Sequence, residues 1–496
     1  MKNFKIKINT EQKNRKKKLK ILKKNGFNFP NICKQKNCLK SLQKKYKLIT
    51  RNILEKLKII VNIYGRIIKK RIMGKSIFFV IQDMKGNIQI YLKKNSSDIK
   101  KKLFRLKIKK LDLGDIIKVN GILFKTKTNE LTVRCQKISL LTKSLRSLPE
   151  KFHGLSDKEK KYRQRYLEFI SNKNSKKIFY IRIKIINLIR KFMKKKKFLE
   201  VETPMMHNIP GGAIAKPFVT YHNALNLNLY LRIAPELYLK RLIIGGFEKI
   251  FEINRNFRNE GISTKHNPEF TMMEIYIAYK NYAYIIKFLK KLIKYIIKKI
   301  KNNKNYIFIK NIINFKTLTM KQSILKYNKN IKKKDLKNFK KIKEIAKILK
   351  IKILKTWKIG HIINEIFEKT VIKKLFNPTF ITEYPIEVSP LAKKTIKNEN
   401  FTERFELFVS GYEIANGFSE LNDPIEQKKR FINQIKNSNE KKKKYNFYDD
   451  DYIKALEYGM PPTAGLGIGI DRLIMILTQQ KNIRDVILFP TNKPKS

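Results

Sequence analysis

Residues 251–276 carry groups that bind anions and cations at alternating positions. Read as a strand, 251–260 sets Glu252, Asn254, Asn256, Arg258 and Glu260 on one face. The other face holds Phe251, Ile253 and Phe257, interrupted by Arg255. A loop, 261–268, carries Lys265 and His266, and a second strand then sets Phe270, Met272, Glu274 and Tyr276 on a common face. Paired as a hairpin, the two strands display a guanidinium, carboxylates, an aromatic ring and a phenol. Such a wall suits a nucleotide and a cationic substrate. A solvated sheet face would not place Phe270 and Met272 beside Glu274.

Acidic residues are scarce, 39 against 114 Lys plus Arg, so each one resists the general composition. Glu403, Glu406, Glu413 and Glu420 nevertheless recur at regular spacing. Clusters of this kind hold magnesium or a substrate ammonium. A solvated charge ladder among lysines fits the spacing equally, and the residues alone leave both readings open. A third region, 461–473, alternates Gly465, Gly467 and Gly469 before Asp471 and Arg472. It lacks the dinucleotide fingerprint and its βαβ surroundings. A glycine-rich strand entering a helix admits close approach of a ligand, or else tight strand–helix packing.

The elements that position these groups follow from periodicity. Residues 11–25 read as a very basic helix stopped by Gly26 and Pro30. Period-two segments at 59–67, 77–82, 88–92, 115–123 and 130–138, with a turn at 85–87, predict a small five-stranded barrel of the OB type. Ile178, Ile181, Ile185, Leu188 and Phe192 predict a long amphipathic helix. A short strand, 198–203, ends at Pro204, and Leu225, Leu227, Leu229 and Leu231 alternate as a half-buried strand. Pro235 suits the first turn of a helix. The domains expected are a basic helical extension (1–55), the barrel (56–145), a linker (146–160) and a larger domain (161–496) with a Lys-rich helical section at 281–355.

The formal net charge of +75 attracts polyanions, nucleic acid above all. Lysine runs at 16–18, 194–197 and 441–444 accompany heavy use of Ile, Asn, Phe and Tyr, residues that share A/T-rich codons. We assign most of the lysine to that drift, and charge alone supports RNA binding weakly. Cys33, Cys38 and Cys135 form no disulfide framework, and the Cys33–Cys38 spacing lacks the partners of a zinc site. No secretory signal or membrane span is expected, and free thiols fit a reducing cytosol.

Three segments, in order, resemble the three motifs of class II aminoacyl-tRNA synthetases: 198–206 the first, 257–274 the second, 465–472 the third. Within the class the chain is similar to the bacterial-type lysyl enzymes. The runs YRQRY (162–166), IPGGA (209–213), APELYLKR (234–241), HNPEFTMME (266–274) and GFSELND (417–423) carry that likeness. It extends from Arg66 to Pro490 and is weakest at 281–350. Ala415 stands where the family usually has glycine, and Ile214 replaces a small residue, both beside the expected substrate loop.

The resemblance implies an α+β protein, an OB-fold anticodon barrel followed by an antiparallel catalytic sheet flanked by helices, working as a cytoplasmic homodimer. It implies a lysine–tRNA ligase that uses ATP, L-lysine, tRNA-Lys and Mg2+. Arg258 and Arg472 would be catalytic, and Glu260, His266 and Phe270 would join them in binding ATP. Gly212, Glu236, Glu274, Tyr276, Asn416 and Glu420 would bind lysine, and Glu406 and Glu413 the metal. Arg66, Phe78, Gln89 and Glu130 would read anticodon bases, while Phe79, by strand alternation, belongs to the core. A relative that modifies an elongation factor lacks the barrel. A non-catalytic RNA-binding module would be expected to lack Arg258, Arg472 or the Glu406/Glu413 pair.

Overall fold

The computed structural model describes residues 10–31, 37–74, 76–93, 108, 110–149, 157–300, 313–436 and 448–494, in two compact units, 1–155 and 156–496. Cys33, Gly154 and the lysine run at 441–444 lie outside the described residues.

In the first unit, strands β1 (Ile60–Met73), β2 (Ser76–Gln82), β3 (Asn87–Lys93), β4 (Ile116–Lys125) and β5 (Leu131–Thr142) close a barrel in the order β1-β2-β3-β5-β4. Alternation decides the faces. Ile77, Phe79, Ile81, Ile90 and Leu92 point inward and are nearly inaccessible, while Phe78, Val80, Gln89 and Tyr91 face out. Helices Thr10–Lys24, Leu39–Tyr46 and Arg51–Lys56 precede the barrel, and Leu39, Leu42, Tyr46 and Leu54 join its core. Lys143, fully buried, is neutralised by Asp112 at 2.6 Å and Asp115 at 2.8 Å. Lys18 reaches Asp112 from the first helix at 2.6 Å, tying that helix to the barrel.

The second unit is built on an eight-stranded sheet. Its strands are β6 (Leu199–Glu200), β10 (Lys249–Phe257), β11 (Glu269–Ala278), β12 (Lys316–Thr319), β13 (Thr379–Pro385), β14 (Phe401–Val409), β15 (Tyr412–Ser419) and β16 (Thr463–Gly469). They run in the order β12-β13-β14-β15-β16-β11-β10-β6. A small second sheet joins β7 (Met206–His207), β8 (Phe218–His222) and β9 (Leu227–Leu231). One face of the large sheet is closed by helices Lys173–Lys195, Tyr282–Ile300 and Ile470–Thr478. Their isoleucines and leucines form the main core, each full burial contributing about 1.5–3 kcal/mol. Two smaller cores cover the ends of the opposite face. One packs helices Met320–Tyr327, Phe339–Ile348 and Ile359–Thr370 onto Ile381 and Phe408, the other packs Glu236–Ile244 and Asp450–Glu457 onto Ile250 and Tyr276. The middle of that face stays open, and the site lies there.

Three local expectations change. The segment at 281–355 is not wholly helical, because Lys316–Thr319 adds β12 to the sheet edge, parallel to β13. Only Leu199–Glu200 of the expected 198–203 strand pairs, parallel to β10. The Leu-rich strand begins at Leu227, since Asn226 turns the chain with φ of 53° and leaves Leu225 exposed.

Candidate active site

The hairpin β10–β11 pairs in the register Glu252↔Glu274, Asn254↔Met272 and Asn256↔Phe270. Strand β16 runs against β11 on one side and β15 on the other. Three adjacent strands, β15, β16 and β11, therefore present Phe270, Met272, Glu274, Tyr276, Gly465, Gly467, Asn416 and Phe418 to one cavity of about 800 Å³. Gly212, Glu236, Arg258, Glu260, His266, Glu413, Glu420 and Arg472 complete its lining.

The glycines of β16 have a steric reason. A Cβ at Gly465 would collide with the Glu420 carboxylate and lie 2.9 Å from the Tyr276 ring. Gly212 has φ of +82°, and a Cβ there would lie 3.0 Å from that of Glu236.

Strict alternation from Asn416 would send Glu413 to the core. A bulge between Leu407 and Phe408 prevents this: Leu407 pairs with Ala415 and Phe408 with Glu413, leaving Ile414 extra. Ile414 and Ala415 both pack into the core, and Glu413 turns to the cavity with Asn416 and Glu420. Ala415 therefore sends its side chain away from the pocket, whereas Ile214 is exposed at its lining.

One end of the cavity gathers the guanidinium groups of Arg258 and Arg472. Arg258 lies over the Phe270 ring at 5.2 Å, and its Nε is buried without a hydrogen-bond partner. Burial pushes this guanidinium below its ordinary value, with Glu413 opposing. Arg472 donates to the Glu413 carbonyl at 2.9 Å and carboxylate at 3.1 Å, and its other nitrogen lies 3.2 Å from His266 Nε2. Burial and then Arg472 lower His266 from the ordinary histidine value, disfavouring its charged form. Glu260 is exposed at the mouth.

The other end gathers carboxyl groups. Glu236, Glu274 and Glu420 are buried there with Tyr276, whose hydroxyl donates to Glu274 at 3.1 Å. Burial and then Glu236 raise the Glu274 carboxyl to about 8. Lys240, inaccessible to solvent, lies 2.6 Å from Glu236 and 2.5 Å from Glu420.

Glu406 shares a strand face with Arg404 and Asn416 but is not among the cavity-lining residues. Arg404 grips it at 2.6 Å and also donates to Asn416 at 3.2 Å. Burial and then Glu413 raise Glu406 to about 7, whereas Arg472 and Arg258 outweigh burial and lower Glu413. Among the described residues no group of three or more His, Cys, Asp or Glu gathers as a metal cage. Two mutually repelling carboxylates are nevertheless a donor set that suits magnesium, which takes one or two carboxylates together with phosphates and water.

Three residues expected in the wall serve elsewhere. Glu252 accepts from Arg232 at 2.7 Å, Thr203 at 2.7 Å and Asn254 at 3.0 Å, because a guanidinium only 1% exposed must be paired. Asn256 reaches the Met272 sulfur at 3.4 Å. Sequence reasoning missed Lys240, Arg404 and Arg182. Asp471 accepts from Arg182 at 2.5 Å and from the Thr271 N–H at 2.7 Å, clamping the helix of Arg472 to β11. Lys240 stands four residues after Glu236, the helical pairing distance, which is the signal that was available.

On the barrel, Phe78, Gln89 and Arg66 share the outer surface. Phe78 lies 5.1 Å from Tyr91, and Tyr91 lies 6.0 Å from Phe124, which Arg134 covers at 5.0 Å. Gln89 donates to Thr132 at 3.2 Å and Arg66 to the Gly114 carbonyl at 2.8 Å. Glu130 is exposed in the turn before β5, its N–H bonded to Thr126 at 3.1 Å. Tyr91, Phe124 and Arg134 extend the aromatic surface beyond the residues expected from the sequence.

Comparison with known proteins agrees with this geometry. Residues 157–493 match the family of class II tRNA synthetases (D, K and N), and residues 61–141 match the OB-fold nucleic acid binding domain. The lysine–tRNA ligase of Buchnera aphidicola subsp. Schizaphis graminum is 58% identical, covering 97% of this chain and 96% of its own. That of Wigglesworthia glossinidia brevipalpis is 53% identical, over 96% and 97% respectively. That of Photorhabdus laumondii is 50% identical, over 98% and 97%. With matches at this identity over nearly its whole length, the chain belongs to the class II aminoacyl-tRNA synthetases, in the lysine–tRNA ligase family.

Proposed function

We propose that the protein activates L-lysine with ATP and transfers it to the 3′ end of tRNA-Lys. The observation that carries the choice of amino acid is three buried carboxyl groups around one end of the cavity against the Lys240 ammonium, which contacts two of them, Glu236 and Glu420. That end needs added positive charge, and lysine brings two ammonium groups. A neutral or acidic side chain would leave the carboxylates unpaired.

In this reading Glu420, Glu274 and Tyr276 receive the ε-ammonium, Glu236 and the Gly212 backbone the α-ammonium, and Asn416 and Arg258 the carboxylate. Adenine stacks on Phe270, Arg472 covers its other side and reaches the γ-phosphate, and Glu260 and His266 help hold ATP. The lysine carboxylate is ionised at neutral pH, so its oxygen attacks the α-phosphorus without a general base. The O–P bond forms as pyrophosphate leaves, and the tRNA terminal hydroxyl later takes the carbonyl as AMP leaves. Rate enhancement comes from in-line positioning and from charge neutralisation by Arg258 and Arg472. Glu406 and Glu413 would hold magnesium, which when bound neutralises phosphate charge.

On the barrel, Phe78 offers a stacking surface and Gln89, Arg66 and Glu130 offer polar edges for anticodon bases. Among the described residues no helix is long and apolar enough to cross a membrane. We infer a cytoplasmic homodimer, with Tyr180, Ile183, Leu199, Val219 and Tyr221 as exposed apolar residues suited to self-association. Incubation with ATP, radiolabelled lysine and total tRNA tests the reading. Acid-precipitable lysine, with matching AMP, is the expected product, and its absence from folded protein would contradict the proposal.

A further inference from the structure

Lys240 lies between the two carboxylates to which the substrate's ammonium groups are assigned. Its ammonium donates to Glu236 Oε1 at 2.6 Å and ion-pairs with Glu420 Oε2 at 2.5 Å. It is sealed from solvent and lies 5.5 Å from the Phe418 ring centre. Burial would strip its proton, but Glu236 and then Glu420 outweigh burial and keep it charged. One cation therefore engages one oxygen of each carboxylate. The remaining Glu420 oxygen, Oε1, is buried and has no hydrogen-bond partner. Such an oxygen is costly to leave unmet, so it is available to a ligand donor.

Charge leads to the same place. Burial holds the Glu274 and Glu420 carboxyls above their ordinary values; once ionised by a bound cation, Glu236, Glu274 and Glu420 less Lys240 leave room for two positive charges, the number lysine carries. Without Lys240 the pocket would hold three carboxyl groups for two ammonium groups, and the contact that joins Glu236 to Glu420 would be lost.

We propose that Lys240 is a positioning residue that sets the spacing between the two ammonium subsites, and so the preference for lysine over its shorter homologue ornithine. The inference rests on the reading of this cavity as a lysine site. A brace between the carboxylates turns them into a gauge of length. One methylene alone is worth only about 10–200-fold in discrimination, so a loss of positioning is measurable against it.

The test is ATP–pyrophosphate exchange, without tRNA, by the parent, Lys240→Met, Glu420→Gln and the double variant. Parent protein that fails to exchange with lysine condemns the reading of the cavity before the brace is in question. If the parent exchanges, Lys240→Met is expected to raise the lysine KM at least about 10-fold, leave the ATP KM within about 2-fold and lower the lysine-to-ornithine ratio of kcat/KM about 10-fold. An unchanged lysine KM and ratio in folded Lys240→Met overturns the proposal. Because the brace acts through the carboxylate, adding Lys240→Met to Glu420→Gln should cost less than about 3-fold more, and fully additive losses overturn it. Should Lys240→Met alone fail to fold, the double variant set against Glu420→Gln decides the matter. Failure of the double variant to fold also overturns the proposal, since the pair would then serve the core rather than the pocket.

Discussion

At the carboxylate-rich end of the cavity, burial sets the state of Glu274 before any substrate binds. Glu274, pushed to about 8 by burial and then by Glu236, is mostly protonated at pH 7 before substrate arrives. Glu252 adds to that repulsion, Arg232 opposes it, and Tyr276 donates to the carboxylate. An ammonium favours the ionised form, so lysine binding should expel about one proton near pH 7. Lysine affinity then rises as pH climbs toward 8 and flattens above it. Calorimetry in two buffers of different ionisation enthalpy reads that proton directly. Glu274→Gln should abolish the buffer dependence, and a parent enzyme without such dependence would contradict the assignment. Glu420→Gln should raise the lysine KM by about 10-fold or more, with ATP affected less than about 3-fold. Equal losses for both substrates would remove Glu420 from the ammonium site. Much of this was legible at the residue level: Arg258, Phe270, Glu274 and Tyr276 share a face because alternation demands it. Lys240 was not, because its one signal, the four-residue spacing from Glu236, is hard to pick out among 114 basic residues.

Elements decide what alternation cannot. Glu413 and Glu420 are an odd number of residues apart, so a regular strand would separate them, and only the bulge at Ile414 unites them. A sequence pattern marks the pair as conspicuous but does not reveal the extra residue. The same limit hid β12, four residues at a sheet edge inside a Lys-rich section whose surrounding period is helical. Long elements were easier, since the helix Lys173–Lys195 repeats its apolar stripe over many turns. One short clamp matters more than its length implies. Asp471 joins Arg182 to the Thr271 N–H and fixes the start of the helix that carries Arg472. Asp471→Asn leaves a largely buried guanidinium without its counter-charge and should cost about 3 kcal/mol in denaturant unfolding. The ATP KM should rise with it, since Arg472 is the next residue. Unchanged stability would show that the clamp is dispensable.

At the scale of the molecule, the chain folds as two units, each with its own core. The barrel was legible because five short strands with inward Ile and Leu at period two have few other solutions. Its outer aromatic surface was only half legible. Phe78 stood out, whereas Tyr91 and Phe124 join it through strand pairing across the barrel. If the units work separately, Phe78→Ala should reduce tRNA charging about 10-fold or more while exchange of pyrophosphate into ATP stays within about 2-fold. Parallel loss of both activities would end that division. The central claim is that the pocket's buried carboxyl groups select lysine. Its most direct test is ATP–pyrophosphate exchange with each amino acid supplied singly and no tRNA present. Exchange with lysine, far above that with aspartate, asparagine or arginine, is the predicted result. Exchange driven by another amino acid, or by none from folded protein, would contradict it.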